Sequence, residues 1–141
     1  MESAAIAKNI NFIRPKVPQI LFIDDDPVLL CIVQKALQRQ GLQCSTVLSI
    51  DELHKAMANG CEPDLVLTDL HIAKESGLTV LEYFRAHHLF FDIPVLLTSS
   101  DDAADALSQT HPFNGFLPKK SLHTMLLDVV CRCLTREPVG L

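Results

Sequence analysis

The sequence predicts a doubly wound α/β fold, a five-stranded parallel sheet with helices on both faces, and three observations carry that expectation. Short continuous apolar runs, the mark of strands buried on both faces, recur along the chain. Stretches of helical period separate them, and parallel strands need such crossovers, which are nearly always right-handed. The runs end in acidic, hydroxyl or basic residues, so chemistry gathers where the strands stop.

Residues 1–18 mix Asn, Lys and two Pro with scattered Ile and Phe, and no period survives there; they read as an N-terminal extension to a domain over 19–134. Ile20 to Ile23 form the first strand, which stops at Asp24, Asp25 and Asp26. Asp26 as N-cap and Pro27 at the first helical position start a helix, with Leu30, Val33 and Leu37 at helical spacing up to Gly41. Cys31 is expected to pack within it. Leu42 to Leu48 make the second strand; Ser49 or Asp51 caps a helix through Met57, and Asn59-Gly60 closes it in a left-handed turn. Asp64 to Asp69 make the third strand. HIAKESG reads as a loop before a helix from about Gly77 to His88. Pro94 to Ser100 form the fourth strand, DDAADALSQ a short helix broken at His111-Pro112, and GFLP the fifth strand. Ser121 is the expected cap of a last helix whose apolar stripe holds Leu122, Met125, Leu126, Val129, Val130 and Leu134.

A length of 141 residues suits one domain, and 48% apolar residues is ample for its core. Seventeen acidic against 12 basic side chains leave a net charge of -5, which argues against a mainly electrostatic nucleic-acid binder. No apolar run approaches the ~20 residues of a membrane span, and the N-terminus lacks the cationic start and apolar centre of a secretory signal. Cytoplasm is the expected location. Cys31, Cys44, Cys61, Cys131 and Cys133 are odd in number and lack paired CxxC spacing, so they read as reduced thiols. His54, His87, His88, His111 and His123 have no ligand spacing and are expected on the solvated surface. The tail over 135–141 is too short to fold as a further domain, so the chain is expected either to stand alone or to be a piece excised from a longer one.

In a doubly wound sheet, ligands bind beyond the carboxyl ends of the strands. Here that rim gathers Asp24 and Asp25, Asp69, Ser99 and Ser100, and Lys119 and Lys120. Clustered carboxylates repel unless a cation joins them, and Mg²⁺ prefers oxygen ligands, takes one or two carboxylates and leaves room for a phosphoryl oxygen. A carboxylate can itself accept a phosphoryl group, with an ammonium and a hydroxyl on its other oxygens. Such a rim suits reversible aspartate phosphorylation.

From about Gln19 to Leu134 the chain resembles the receiver domain of two-component response regulators, on the strength of ILFIDDDP, PDLVLTDLHIAKESGL, IPVLLTSS and NGFLPKK in that order. The resemblance implies a flavodoxin-like (βα)5 fold with strand order 2-1-3-4-5. It makes Asp69 the phosphoacceptor and Asp24 and Asp25 the acidic pair of a Mg²⁺ site shared with Asp69 and the backbone carbonyl of His71. Ser99 takes the place of the family's Thr or Ser, with Thr98 one residue earlier and only one of the two able to face the site. Lys119 pairs with the phosphoryl group and Phe116 is the aromatic whose rotamer follows the switch. His71 and Asp101 flank the route of hydrolytic water and are the candidates for setting the lifetime of the phosphoryl state. The implied partners are a histidine kinase or histidine phosphotransfer protein and a downstream effector protein, with a homodimer through the fourth helix, fifth strand and fifth helix as a family analogy. No direct nucleic-acid or membrane contact is expected. The implied activity is that of a switch, catalysing only its own phosphorylation and dephosphorylation.

The chain departs from the family in two places. Ile72-Ala73 and Ser76-Gly77 stand where Met-Pro and Asp-Gly are usual, which leaves the loop less pre-set. Lys120 replaces a Pro that follows a cis bond; a cis bond before a non-proline costs about 3 kcal/mol, so a trans bond is expected, and Lys120 becomes a rival to Lys119. Two other readings stay open. One is a degenerate receiver acting only as a binding module. The other is a haloacid-dehalogenase-like phosphatase, because IDDDPV fits a DxDxV start with Asp24 as nucleophile and Asp26 as acid/base; the order of Asp101-Asp102 before Lys119 and the short chain count against it.

Overall fold

Five apolar runs become five parallel strands in a computed structural model that describes residues 17–101 and 103–135. The strands are β1 (Gln19–Ile23), β2 (Gln43–Val47), β3 (Leu65–Asp69), β4 (Val95–Ser99) and β5 (Gly115–Pro118). The helices are α1 (Pro27–Arg39), α2 (Ile50–Ala58), α3 (Gly77–Arg85), α4 (Ala103–Thr110) and α5 (Leu122–Leu134). The sheet order is β2-β1-β3-β4-β5, all parallel, as expected. The order reverses between β1 and β3, where Ile23 pairs with Thr68, and this is the switch point beyond which ligands bind in such sheets. Most of the N-terminal extension and of the tail lies outside the described residues.

Alternation along the strands sends side chains into two cores. On one face Ile20, Phe22, Leu65, Leu67, Leu96 and Leu117 pack against α1 and α5; on the other, Leu21, Ile23, Val66 and Val95 pack against α2 and α3. Full burial of each such side chain contributes about 1.5–3 kcal/mol, so the sheet is held from both sides. A third cluster, Leu70, Leu97 and Ala104 with half-buried Phe116 beside it, seats α4 next to the rim.

The caps explain most boundaries. Asp26 Oδ1 accepts from the amides of Val28 and Leu29, and Ser49 Oγ from that of Glu52. Gly41 at φ +82° and Gly60 at φ +93° turn the chain out of α1 and α2 in the left-handed region. Three expectations need correction. The helix expected to reach His88 stops at Arg85, because half-buried His87 turns its Nδ1 to accept from the Leu89 and Phe90 amides at 3.0 and 3.3 Å. That also removes His87 from the solvated histidines; His54, His88, His111 and His123 are exposed. Ser121 makes no side-chain cap, since Lys119–Ser121 forms a 3-10 turn that feeds directly into α5. Cys31 is exposed, because the buried stripe of α1 runs through Leu30, Val33 and Leu37.

The thiols divide by burial. Cys44 and Cys133 are buried, which pushes their pKa values up to about 12 and about 11 and suppresses the reactive thiolate. Cys31 and Cys131 are exposed. Alkylation of the native protein is expected to modify Cys31 and Cys131 first, with Cys44 and Cys133 reacting only once denaturant is added; peptide mass mapping over time checks the order.

Candidate functional site

Asp24 follows β1 directly and its amide donates to the Val47 carbonyl at 3.1 Å, which continues the strand ladder by one residue. Its carboxylate is thereby drawn into the rim with no exposed surface. Oδ1 accepts from the Asp26 amide at 2.9 Å. Oδ2 lies 2.8 Å from Lys119 Nζ in a close, largely buried ion pair. Lys119 Nζ donates to Asp69 Oδ2 at 3.1 Å. One ammonium thus bridges the ends of β1 and β3, and Lys119 rather than exposed Lys120 stands among the carboxylates. The bond between Lys119 and Lys120 is trans.

Asp25, next in sequence, is exposed and its Oδ2 accepts from the Ala73 amide at 2.8 Å. Asp24, Asp25 and Asp69 can place one oxygen each within 4.8 Å of one another. This donor set is all oxygen and anionic, with three carboxylates converging beside the one Lys119 ammonium, so it fits a hard divalent cation. Asp26 is used otherwise, as the cap of α1.

Ser99 ends β4 opposite Pro118, one residue before Lys119, and its Oγ accepts from the Asp101 amide at 3.0 Å. Thr98 is the buried neighbour opposite Asp69; its hydroxyl approaches the Thr68 carbonyl at 3.4 Å, a contact internal to the sheet. Ser100 is exposed. His71 Nε2 lies 3.1 Å from Asp101 Oδ2, so the two residues paired on sequence grounds meet at the mouth of the rim. Phe116 pairs with Leu97 in the sheet and is half-buried beside Leu70 and Ala104, next to the rim.

The segment after Asp69 is more ordered than a loop. His71–Ile72 pairs with Glu75–Ser76 in a short antiparallel ribbon, Ala73 takes a left-handed φ of +55°, and Ser76 Oγ caps α3 through the Leu78 amide. The Gly77 amide donates to the Leu70 carbonyl at 2.8 Å, and a Cβ on Gly77 would lie 2.3 Å from the Asp69 carbonyl oxygen. Only glycine lets α3 start this close to the strand that carries Asp69. Gly77→Ala is expected to cost about 1–3 kcal/mol, as overpacking against backbone does, and to shift the Asp69 amide resonance more than those of β2 in a spectrum of the folded variant.

Sequence reading missed two contributors. The Ala73 amide gave no signal, because its value depends on a backbone turn and not on a side chain. Arg85 reads as an ordinary last-turn cation, yet its guanidinium donates to the carbonyls of Phe91, Ile93 and Pro112 and to Asn114 Oδ1. Asn114 Oδ1 also accepts from the Val95 amide at 2.8 Å. Together they tie the starts of β4 and β5 to the end of α3.

The electrostatics follow from burial. Burial pushes the Asp24 carboxyl above its ordinary 3.8; Lys119 and the Asp26 amide oppose this only in part, and the Asp69 charge adds to it. Burial also disfavours the Lys119 charge, but contact with Asp24 and Asp69 outweighs it and holds this ammonium above 10.5. Lys119 therefore stabilises the fold fully below 10.5, a contribution lost as pH rises through the raised value. Ionised Asp24 has the opposite sign: it costs stability above its raised pKa, and the cost is relieved as pH falls toward 3.8. Without divalent cations, Asp24→Asn is expected to melt at a higher temperature than the parent at neutral pH. The gap should close as pH approaches 3.8, which thermal denaturation across pH checks.

Residues 20–130 match the family described as the response regulator receiver domain. Among curated proteins, the chain is 34% identical over 85 residues to the dual master transcriptional regulator RpaA of Synechocystis, covering 60% of this chain and 34% of that protein. It is 31% identical over 98 residues to the transcriptional regulator NtrC of Escherichia coli, covering 69% of this chain and 20% of that one. The chain therefore spans about a third and a fifth of these relatives' lengths. Among solved structures, the chemotaxis response regulator CheY4 of Vibrio cholerae superposes with a TM-score of 0.73 at 19% identity, over 84% of this chain and 99% of that one. The response regulator TrrA of Thermotoga maritima, solved with Mg²⁺ and BeF, gives 0.70 at 24% identity over 82% and 98%. With the sheet order, the rim and a family match over most of its length, the chain belongs to the response regulator receiver family, whose members act as phosphorylation-based signalling switches.

Proposed function

We propose that Asp69 accepts a phosphoryl group from a histidine kinase or histidine phosphotransfer protein, and that the domain over 19–134 passes the change to a downstream effector protein by contact. The observation that carries this reading is the Asp24–Lys119–Asp69 bridge: a nearly buried carboxylate at the switch point, beside a cation and two further carboxylates. An Asp69 oxygen forms a P–O bond as the donor's P–N bond breaks, and the leaving imidazole takes up a proton. Asp24, Asp25, Asp69 and the His71 backbone carbonyl would hold Mg²⁺, which when bound neutralises charge on the transferring phosphoryl group.

The chain's own residues supply positioning and charge. Lys119 already contacts Asp69 and is placed to pair with a phosphoryl oxygen. The Ser99 hydroxyl reaches another oxygen from the end of β4, and the α4, β5 and α5 faces follow it, with Phe116 turning inward as the switch aromatic. His71 and Asp101 hold each other across the mouth and restrict the approach of water, so they set the dephosphorylation rate. The catalysis is confined to the protein's own phosphorylation and dephosphorylation. No helix among the described residues is long and apolar enough to cross a membrane. We place this function in the cytoplasm, with no direct nucleic-acid contact by these residues and with α4, β5 and α5 as a face for pairing two copies.

With Mg²⁺ and acetyl phosphate or phosphoramidate, intact mass is expected to show one base-labile phosphoryl adduct. The adduct should be absent without the metal and absent in Asp69→Asn. An Asp69→Asn protein that still gains a phosphoryl group, or a parent that gains none while binding Mg²⁺, would overturn the assignment.

A further inference from the structure

The ribbon of His71–Ile72 and Glu75–Ser76 turns back through two residues, Ala73 and Lys74. Among the described residues, Ala73, at φ +55°, is the only non-glycine in the left-handed region. A positive φ at the first central position alone is the pattern of a type II′ hairpin turn, where glycine is usual because a Cβ crowds the neighbouring carbonyl. Such an outlier persists only where the surroundings hold it, and it points to a function. The ladder bonds of a turn like this fall to the flanking Ile72 and Glu75, so the Ala73 N–H is left free of them. It donates instead to Asp25 Oδ2 at 2.8 Å.

We infer that the Ala73 N–H is a positioning group for a divalent cation at Asp24, Asp25 and Asp69, and that cation binding is coupled to closure of this hairpin onto Asp25. The other two carboxylates are held by other means: Asp24 by the Asp26 amide and Lys119, and Asp69 by Lys119. Asp25 is the exposed member, and among the described residues the Ala73 amide is the donor it accepts from. Unheld, an exposed carboxylate turns through its rotamers in water. Held, Asp25 keeps the one in which the three residues can place an oxygen each within 4.8 Å of one another. The donor is itself fixed from below. Ile72 is fully buried in the core with Val80 and Leu81, and the Gly77 amide closes the base of the ribbon on the Leu70 carbonyl at 2.8 Å. The hydrogen bond therefore joins an anchored turn to the end of β1.

Groups that orient metal ligands typically change metal affinity about 10–100-fold when they are removed. The coupling is reciprocal, so a cation that needs Asp25 in this rotamer also favours the closed hairpin. A proline at this position would have no N–H to give, so the device belongs to the alanine of this chain. The inference rests on the reading of the trio as a cation site, and it adds the backbone of Ala73 to the groups that set the affinity.

The test replaces the Ala73 amide by an ester in the full chain, which removes the N–H and keeps the side chain, beside Ala73→Gly, which keeps the N–H and suits a positive φ. Mg²⁺ affinity is read by calorimetry with no phosphoryl donor present. The ester is expected to raise the Mg²⁺ dissociation constant about 10–100-fold, and Ala73→Gly to retain the parent's value. In the unmodified chain Mg²⁺ is expected to slow solvent exchange of the Ala73 amide, which a role confined to shaping the turn would not produce. An ester chain that binds Mg²⁺ as the parent does, an Ala73→Gly chain as weak as the ester, or an exchange rate that ignores Mg²⁺ would each overturn the inference and leave the cation site standing. A parent that binds no Mg²⁺ would overturn both. Where the ester disturbs the hairpin itself, seen in the Ile72 methyls, amide exchange in the unmodified chain decides alone.

Discussion

A single ammonium balances the rim. Asp24 and Asp69 are delivered to the same place by adjacent strands, both almost without exposed surface, and Lys119 lies within 2.8 and 3.1 Å of them. Removing that ammonium is expensive, about 3–5 kcal/mol, because two buried carboxylates are then left uncompensated. Strand order, the continuation of β1 into Asp24 and the direct run of β5 into the 3-10 turn all meet that requirement. The arrangement is also unsaturated: one cation faces two buried carboxylates, and a third carboxylate stands nearby. A cation or a charged ligand thus finds a site with charge still to be neutralised.

Much of this was legible because the physics is local. A run such as Ile20 to Ile23 is apolar on every residue since both faces of β1 are covered, and Asp26-Pro27 announces a helix since capping acts within three residues. Strand alternation limited the fourth-strand hydroxyl to Thr98 or Ser99, and only the structure showed Thr98 turned into the sheet and Ser99 at its end. What sequence could not give was set by distant partners. His87 ends α3 through its ring nitrogen, although the helical period of the sequence runs on to His88. The exposure of Cys31 came down to one position of helical phase beside Leu30.

The two departures from the family's usual residues have unequal consequences. Lys120 changes little at the site, since the trans chain through Lys119–Ser121 still leaves Lys119 among the carboxylates. Ala73 changes more. A proline there is locked near φ -65° and has no N–H, whereas Ala73 sits at +55° and donates to Asp25. The loop that lacks the pre-setting proline is held by that hydrogen bond and by the His71–Ile72 ribbon. Asp25 is held in turn, so the exposed member of the acidic trio has its orientation fixed by backbone.

Arg85 gives the sheet a fixed base. Its guanidinium and Asn114 fasten the end of α3, the approach to β4 and the approach to β5 into one joint at the edge opposite the rim. A parallel strand clamped at its start and pulled at its end cannot slide along its neighbour without breaking that joint. Were Ser99 or Lys119 displaced, the joint would leave tilt about Val95 and Gly115 as the free motion, and α4, hung between the two strands, would swing as a lever whose fulcrum lies at the far side of the sheet.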